Sequence, residues 1–370
     1  MPNLFEHLCD SIFSDICGNL DVKKALVLSL FAGTAKFDKE CSDIHIRDHI
    51  HVLILGNRCS QKNLFLKCLT TLMKTSCYIV GNCSSVKLMT VRSNNKQKTL
   101  EQGALVSLER SKLNYEVCML NLFSIYLLEF VCIDELEKMN RTQQQIVIQS
   151  IEHKKIGVKD YNEFLFYPSN VSIIAAANLI TNEFDYSKTI EQNVQITLDL
   201  ISKFDLVFLI DENSKEYDEL VYEKEVKRFC KVTQSESLFD QNILQFFDDE
   251  SGNFGQTNFL NGNLLSLDII YKYISHCYKY IHPVIGKNMK NILRDFCLSK
   301  ISSTVLSKLR IFESLCRLVE AHAKLFMKPE VEENDLVAIV QILQNSLIFI
   351  QLQTRKNCSN YIFSLIILIN

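Results

Sequence analysis

Two hydrophobic rhythms run through the first two thirds of the chain. Asp21–Phe31 (DVKKALVLSLF) places apolar residues at helical spacing, with Asp21 as its N-cap. His51–Leu55 (HVLIL) is a short unbroken apolar run ending at Gly56, the pattern of a buried strand followed by a turn. Asn63–Met73 returns to helical spacing, so residues 51–73 predict strand, loop and helix. Further apolar runs end in polar residues: Phe130–Ile133 at Asp134 and Glu135, Ser172–Ala177 at Asn178, and Leu206–Ile210 at Asp211. Buried strands that alternate with helices and end in polar residues predict a parallel α/β sheet. Its site then lies along the C-terminal edge of the strands.

Beyond residue 230 the pattern changes. Residues 231–262 are polar and hold three of the ten glycines, which predicts a linker or long surface loop. Leu265–His282, Gly286–Ile301, Ser307–Lys324 and Glu332–Ile348 then read as helices. The expected organisation is an α/β core over 1–230, a linker over 231–262 and a helical domain over 263–348. The apolar runs Met119–Ile133 and Tyr361–Ile369 are shorter than the roughly 20 residues that a membrane-spanning helix needs, so a soluble protein with no membrane partner is expected.

Composition adds limits. With 370 residues, 47% hydrophobic and 22% charged, the chain has enough apolar surface for a packed core and is not of the disordered class. A net charge of −3 neither supports nor excludes a nucleic-acid partner, because it says nothing of how charge is distributed. None of the 14 cysteines forms a C-x-x-C pair, so buried thiols in a reducing compartment are expected rather than a zinc site. Pro2–Asp10 is amphipathic and acidic, unlike a signal peptide.

Three strand tips carry candidate chemistry. The loop after the first strand, Gly56-Asn-Arg-Cys59-Ser60-Gln61-Lys62-Asn63, has the glycine and lysine of a phosphate-binding loop. In such a loop backbone N–H groups wrap the phosphates and the lysine meets the β and γ oxygens. Cys59 and Gln61 stand where small residues are wanted, and Asn63 where a magnesium-binding hydroxyl is wanted. Taken alone, a turn with a surface lysine is the simpler reading. Asp134 and Glu135 suit a carboxylate that holds Mg²⁺ through water and one that polarises an attacking water. Asn178 offers an amide for that water or for the γ-phosphate. The order strand-loop-Lys, strand-Asp-Glu, strand-Asn is characteristic of AAA+ ATPases.

These segments resemble the minichromosome maintenance (MCM) family of AAA+ helicases. Ile16-Cys-Gly-Asn-Leu-Asp-Val-Lys-Lys-Ala25 resembles its opening segment, Glu101–Val106 the segment before Walker B, and Cys132–Met139 Walker B itself. Ala175–Asn178 resembles sensor 1, Leu200–Leu206 the arginine-finger segment, and Arg310–Lys324 the sensor 2 helix. Within the family, Tyr78-Ile-Val-Gly81-Asn82 and Ser187–Asn193 are similar to the eighth, recombination-associated paralogue.

The resemblance implies an AAA+ P-loop sheet with a helical lid, ATP and Mg²⁺ as cofactors, and DNA as a partner in the nucleus. It also implies a homo- or hetero-hexamer with another MCM-family subunit. Its function would be an ATP-dependent DNA helicase or translocase subunit in homologous recombination and DNA repair or replication; the alternative is a catalytically weakened structural or regulatory subunit. Gly56, Cys59, Ser60, Gln61, Lys62, Asn63 and Asn178 would hold nucleotide, and Asp134 with Asn63 would hold Mg²⁺. Asp134 and Glu135 would act in cis, with Lys203 and Arg310 supplied by a neighbouring subunit. Lys159 falls in the presensor-1 hairpin and Lys87, Arg92, Lys96 and Lys98 in the helix-2 insertion, which makes Lys159, Lys87 and Arg92 the DNA-contact candidates.

Several features depart from the family. Lys203 replaces the finger arginine, keeping the charge but losing the planar fork. Residues 107–129 have no counterpart ahead of Walker B, which leaves open a surface insertion or intron sequence carried into a gene model. Residues 349–370 form an atypical tail. The family's N-terminal region is missing, so a fragment, or a protein that needs partners, is expected.

Overall fold

The computed structural model describes residues 4–37, 45–58, 60–82, 91–94, 99–102, 104–105, 129–160, 163–181, 184–185, 188–210, 265–300 and 308–354. The predicted linker over 231–262 therefore lies outside the described residues, as do Cys59, Lys87, Lys96, Lys98, Asp211, residues 107–128 and residues 355–370.

The core is a five-stranded parallel sheet. Its strands are β1 (Val52–Gly56), β2 (Ser76–Val80), β3 (Glu129–Asp134), β4 (Val171–Asn178) and β5 (Leu206–Ile210). Their spatial order is β5-β1-β4-β3-β2, with every pairing parallel. All five residues of β1 are buried, as are Val171–Ala177 of β4, which explains why both appear as unbroken apolar runs. β2 is the added strand. It lies at the sheet's edge, with only Ile79 buried, and gives no such run.

The register aligns the tips. Gly56 stands beside Asn178 on one side and Ile210 on the other, and Val80 stands beside Asp134. Strand order reverses between β1 and β4, and the crevice above such a reversal is where parallel sheets bind ligands.

Helices α1 (Leu4–Ile12), α2 (Leu20–Phe31), α3 (Lys62–Leu72), α4 (Arg141–His153), α5 (Ile190–Val194) and α6 (Leu198–Lys203) accompany the sheet. Asp21 is not the cap of α2. That helix begins one residue earlier, behind Asn19, whose φ of 50° is the left-handed conformation that asparagine tolerates. Asp21 sits in the first turn, where its charge suits the helix dipole, and its Oδ2 accepts from Asn345 Nδ2 at 2.6 Å. The opening segment closes on itself, as buried Lys23 donates from Nζ to the Ile16 carbonyl at 2.7 Å.

The lid helices are α7 (Leu267–Tyr280), α8 (Lys287–Lys300), α9 (Lys308–Leu325) and α10 (Glu333–Thr354). Three polar groups of α9 fasten it to the core. Arg317 pairs with Asp205 at 2.6 Å, Glu320 accepts from Thr34 N at 3.0 Å, and Lys324 donates to the Gly33 carbonyl at 2.6 Å. On α10, Ser346 Oγ accepts from Val207 N at 2.7 Å and donates to Val207 O at 2.9 Å. That contact satisfies backbone groups of the edge strand β5, which would otherwise invite pairing with another chain.

Among the described residues eight cysteines are free, and burial pushes the thiols of Cys9 and Cys132 up to about 12. Among the same residues no helix is long and apolar enough to cross a membrane.

Candidate nucleotide site

Three segments meet at the C-terminal edge of the sheet. The loop from Gly56 turns into α3 at Lys62, so the first turn of an 11-residue helix sits over the tip of β1. Gln61 stands at the N-cap and makes no capping bond; its Oε1 instead accepts from Cys17 N at 3.4 Å, tying the loop to the opening segment. The leading amides of a helix are the natural donors to phosphate. Gly56 is required by crowding. A Cβ there would stand 2.9 Å from the Ile210 carbonyl oxygen and 3.1 Å from Ser60 Oγ.

Lys62 is 1% exposed and lies inside the loop it serves. Its Nζ donates to the Asn57 carbonyl and, at 2.5 Å, to Ser60 Oγ, which in turn donates to Asn57 O at 2.7 Å. Asn63, one residue on, is exposed.

The acids follow β3. Asp134 is 6% exposed; Glu135 N donates to its Oδ1 at 2.9 Å and the Tyr78 phenol to its Oδ2 at 2.6 Å. Burial, and then the bond to Asp134, raise the Tyr78 phenol above its ordinary value. Glu135 adopts φ 55° and ψ 47°, and its carboxylate meets Lys138 Nζ at 2.5 Å. The left-handed turn redirects the chain beneath Gly81, whose N–H donates to Asp134 O at 2.8 Å. Any Cβ at Gly81 would come within 2.2 Å of the Glu135 carbonyl oxygen, so the two strand tips approach this closely only with glycine there.

Asn178 completes the rim. Glu137 receives both its nitrogens: Oε1 accepts from Nδ2 at 2.8 Å and Oε2 from the backbone N–H at 3.0 Å. Leu179 N also donates to Gly56 O at 3.1 Å, which locks the tip of β4 to the start of the loop. Lys62, Asp134, Glu135 and Asn178 thus share one edge of one sheet.

The donor set fits a metal–nucleotide. Asp134 and the Asn63 amide offer hard oxygens of the kind Mg²⁺ takes, and each Asp134 oxygen accepts one hydrogen bond, leaving acceptor capacity. A triphosphate would draw Lys62 away from the Asn57 carbonyl to its own oxygens. A cavity of about 820 Å³ between lid and core, bordered by Thr34, Pro283, Ile285, Cys297 and Phe312, includes none of these residues and is a separate feature.

The MCM P-loop domain matches residues 1–112 and 129–228, and the MCM AAA-lid domain matches 268–347. The chain belongs to the MCM family. Its P-loop match is interrupted between residues 112 and 129. Similar MCM proteins include DNA helicase MCM8 of Xenopus laevis, 28% identical over 370 residues, covering 94% of this chain and 42% of the relative. Human DNA helicase MCM8 is 26% identical over 373 residues, with the same two coverages. Arabidopsis thaliana DNA replication licensing factor MCM2 is 26% identical over 359 residues, covering 95% of this chain and 36% of the relative. The chain therefore spans about two fifths of the length of these MCM relatives.

The other sequence candidates lie apart from this rim. Lys203 ends α6 just before β5, near the strands' N-terminal edge, where Asp205 N donates to His51 O at 3.0 Å. The length of β5, about 13 Å at its usual rise, separates it from the level of Gly56. Lys203 Nζ meets Glu152 at 2.5 Å and Asp199 at 3.0 Å. Burial opposes its charge, but the bonds to Glu152 and Asp199 outweigh that and raise its pKa. Arg310 joins the group, 3.8 Å from Glu152 and donating to the Lys203 carbonyl at 3.3 Å. The two trans candidates thus form one cluster, held by an acid of α4. Lys159 lies near the end of the hairpin Lys155–Asp160 with Glu163–Pro168, paired with Phe164. Arg92 lies on the strand Val91–Asn94, paired with Glu101.

Tyr78, Glu137 and Glu152 are contributors that the apolar runs and their polar tips do not mark. Glu137 had a local signal, an acid two positions after Glu135 in the Walker B segment. Tyr78 and Glu152 reach their partners through strand order and lid docking, which periodicity does not encode.

Proposed function

We propose that this chain is the ATP-driven motor portion of a DNA helicase or translocase subunit. The observation that carries the reading is the convergence of Lys62, Asp134, Glu135 and Asn178 on one edge of a β5-β1-β4-β3-β2 parallel sheet. Gly56, Cys59, Ser60, Gln61 and Lys62 hold the triphosphate of ATP, while Asp134 and Asn63 hold Mg²⁺, which neutralises phosphate charge when bound. Glu135 polarises the attacking water. Lys203 and Arg310 face the γ-phosphate of a neighbouring subunit in a homo- or hetero-hexamer, and their position far from their own P-loop supports that arrangement. Lys159, Lys87 and Arg92 track DNA phosphates in the central channel. The names of the MCM8 relatives support a helicase role, which we assign to the nucleus and to homologous recombination and DNA repair or replication. The domains are a core over 1–230, a linker over 231–262 and a lid over 263–348.

The test is DNA-stimulated ATP turnover by the reconstituted assembly. Turnover that depends on Mg²⁺ and disappears in Lys62→Ala supports the reading; turnover unaffected by Lys62→Ala sinks it.

A second reading has its own support. Cys59 and Gln61 in the loop, an amide at Asn63 and a lysine at 203 together favour a catalytically weakened subunit with a structural or regulatory role. In that case the purified chain binds ATP with little Mg²⁺ dependence, and the assembly keeps its DNA affinity in Lys62→Ala.

A further inference from the structure

We propose that Glu137 is the positioning residue that sets the polarity of the Asn178 side chain, presenting its carbonyl oxygen to the attacking water. The inference rests on the nucleotide-site reading above.

Glu137 lies in the short helical turn Leu136–Lys138 that follows β3, and Asn178 ends the neighbouring strand β4. One carboxylate takes two donors from one residue, Nδ2 at 2.8 Å and the backbone N–H at 3.0 Å. An ionised carboxylate only accepts hydrogen bonds. The amide must therefore offer it nitrogen, because the flipped rotamer would set oxygen against oxygen. The usual ambiguity between the two ends of an asparagine amide is removed by the partner. The backbone bond holds Glu137 in place while the side-chain bond orients the amide.

Among the described residues no donor meets Asn178 Oδ1. The end left for a ligand is thus an acceptor. Phosphate oxygens also accept, so Oδ1 and a γ-phosphate oxygen repel each other. Water brings a hydrogen and is attracted. Asn178 then holds the water through one hydrogen while Glu135, two residues before Glu137 in the same turn, takes the other. The competing arrangement uses the second hydrogen of Nδ2 to grip the γ-phosphate.

Three variants separate them: Glu137→Gln, Asn178→Asp, and the two together. Glu137→Gln leaves one acceptor for two donors. Asn178→Asp sets two carboxylates face to face. The double variant reverses the bond: the new amide donates to the new carboxylate and still accepts from the backbone N–H. Net charge is unchanged, and an oxygen still faces the water.

On the full chain in its active assembly, each single variant lowers kcat on the order of 10²-fold while KM for ATP moves little. The double variant returns to within about tenfold of the parent. A double variant as slow as Asn178→Asp alone, yet as stable as the parent, overturns the water-holding role and gives the work to the amide nitrogen. Thermal unfolding without nucleotide tests the clamp independently. Each single change lowers Tm by about 2–4 °C and the double change restores it. Additive losses overturn the clamp. If the parent neither binds a fluorescent ATP analogue nor turns over ATP, the nucleotide reading falls and the water-holding role with it, while the unfolding series still decides the clamp.

Discussion

The two ends of the parallel sheet use charge in opposite ways. At the C-terminal edge Lys62 bonds to a carbonyl and a hydroxyl of its own loop, and Glu135 pairs with Lys138, whose side chain is 42% exposed. Both contacts can be exchanged for a ligand. At the N-terminal edge Asp205 is 1% exposed at its side chain and accepts from Arg47, from Arg317 at 2.6 Å, from Ser314 at 2.6 Å and from His51 N at 2.9 Å. None of these Asp205 contacts can be retargeted without leaving a buried charge. The first end suits chemistry, and the second fastens the lid to the core.

The strongest way to break this contrast is Asp205→Asn. Removing one partner of a buried ionic cluster typically costs about 3–5 kcal/mol, because buried Arg317 and partly buried Arg47 remain charged. Denaturant unfolding should show that loss, with the lid undocking first. The pH dependence has a definite sign. Burial works to raise the Asp205 carboxyl, but Arg317 and Arg47 outweigh it and hold the group well below its ordinary 3.8. A depressed carboxyl contributes stability that is fully present above its unfolded value and lost as pH falls through its folded value. The parent should therefore lose stability below about pH 4 more steeply than Asp205→Asn does. Equal acid limbs for the two proteins would remove Asp205 from this role.

A smaller but localised loss is expected at the site end from Gly81→Ala. The added Cβ meets a backbone oxygen at 2.2 Å, which cannot rotate aside. Overpacking of this kind costs about 1–3 kcal/mol, and relief requires β3 to withdraw with Glu135. Nucleotide binding should weaken together with stability. A variant of unchanged melting temperature and unchanged ATP-analogue affinity would show that the strand tips tolerate separation.

The contrast also explains what the sequence disclosed. β1, β3, β4 and β5 are legible because strands covered on both faces become continuous apolar runs, whereas the half-covered edge strand β2 does not. Gly56, Lys62, Asp134, Glu135 and Asn178 are legible as polar residues at strand tips. Their partners are not. Tyr78 reaches Asp134 because β2 lies beside β3, and Glu137 reaches Asn178 because β4 lies on the other side. The Asp205 hub joins residues more than a hundred positions apart, so no local pattern announces it. Asp21 misled for a simpler reason: aspartate is a good cap in general, yet Asn19 already occupies the left-handed turn.

Lys203→Arg sharpens the comparison from the opposite direction, since it should change rate and leave stability alone. Arginine restores the fork that meets two phosphate oxygens, and Glu152 and Asp199 remain to receive it. Removal of a finger costs about 10³–10⁵ in rate, and lysine already supplies the charge, so a gain on the order of tenfold in DNA-stimulated turnover is expected. Melting temperature should not move. A rate that stays flat while the assembly is intact would argue that Lys203 never faces a neighbour's phosphate.

The smallest expected effect is the most direct check on the idea that the site end holds its charges loosely. The Lys138–Glu135 pair is 2.5 Å long, shorter than several contacts of the Asp205 cluster, so distance alone would rank it as strong. Exposure argues the reverse. With side chains 42% and 25% exposed, the pair is screened by solvent, and such pairs contribute about 0–1 kcal/mol. Lys138→Met should therefore change unfolding free energy by less than about 1 kcal/mol, several times less than Asp205→Asn. Raising salt should shrink even that difference. A loss comparable to that of Asp205→Asn would mean that Glu135 is locked in place by Lys138, and the division of the sheet into an exchangeable end and a fixed end would fail.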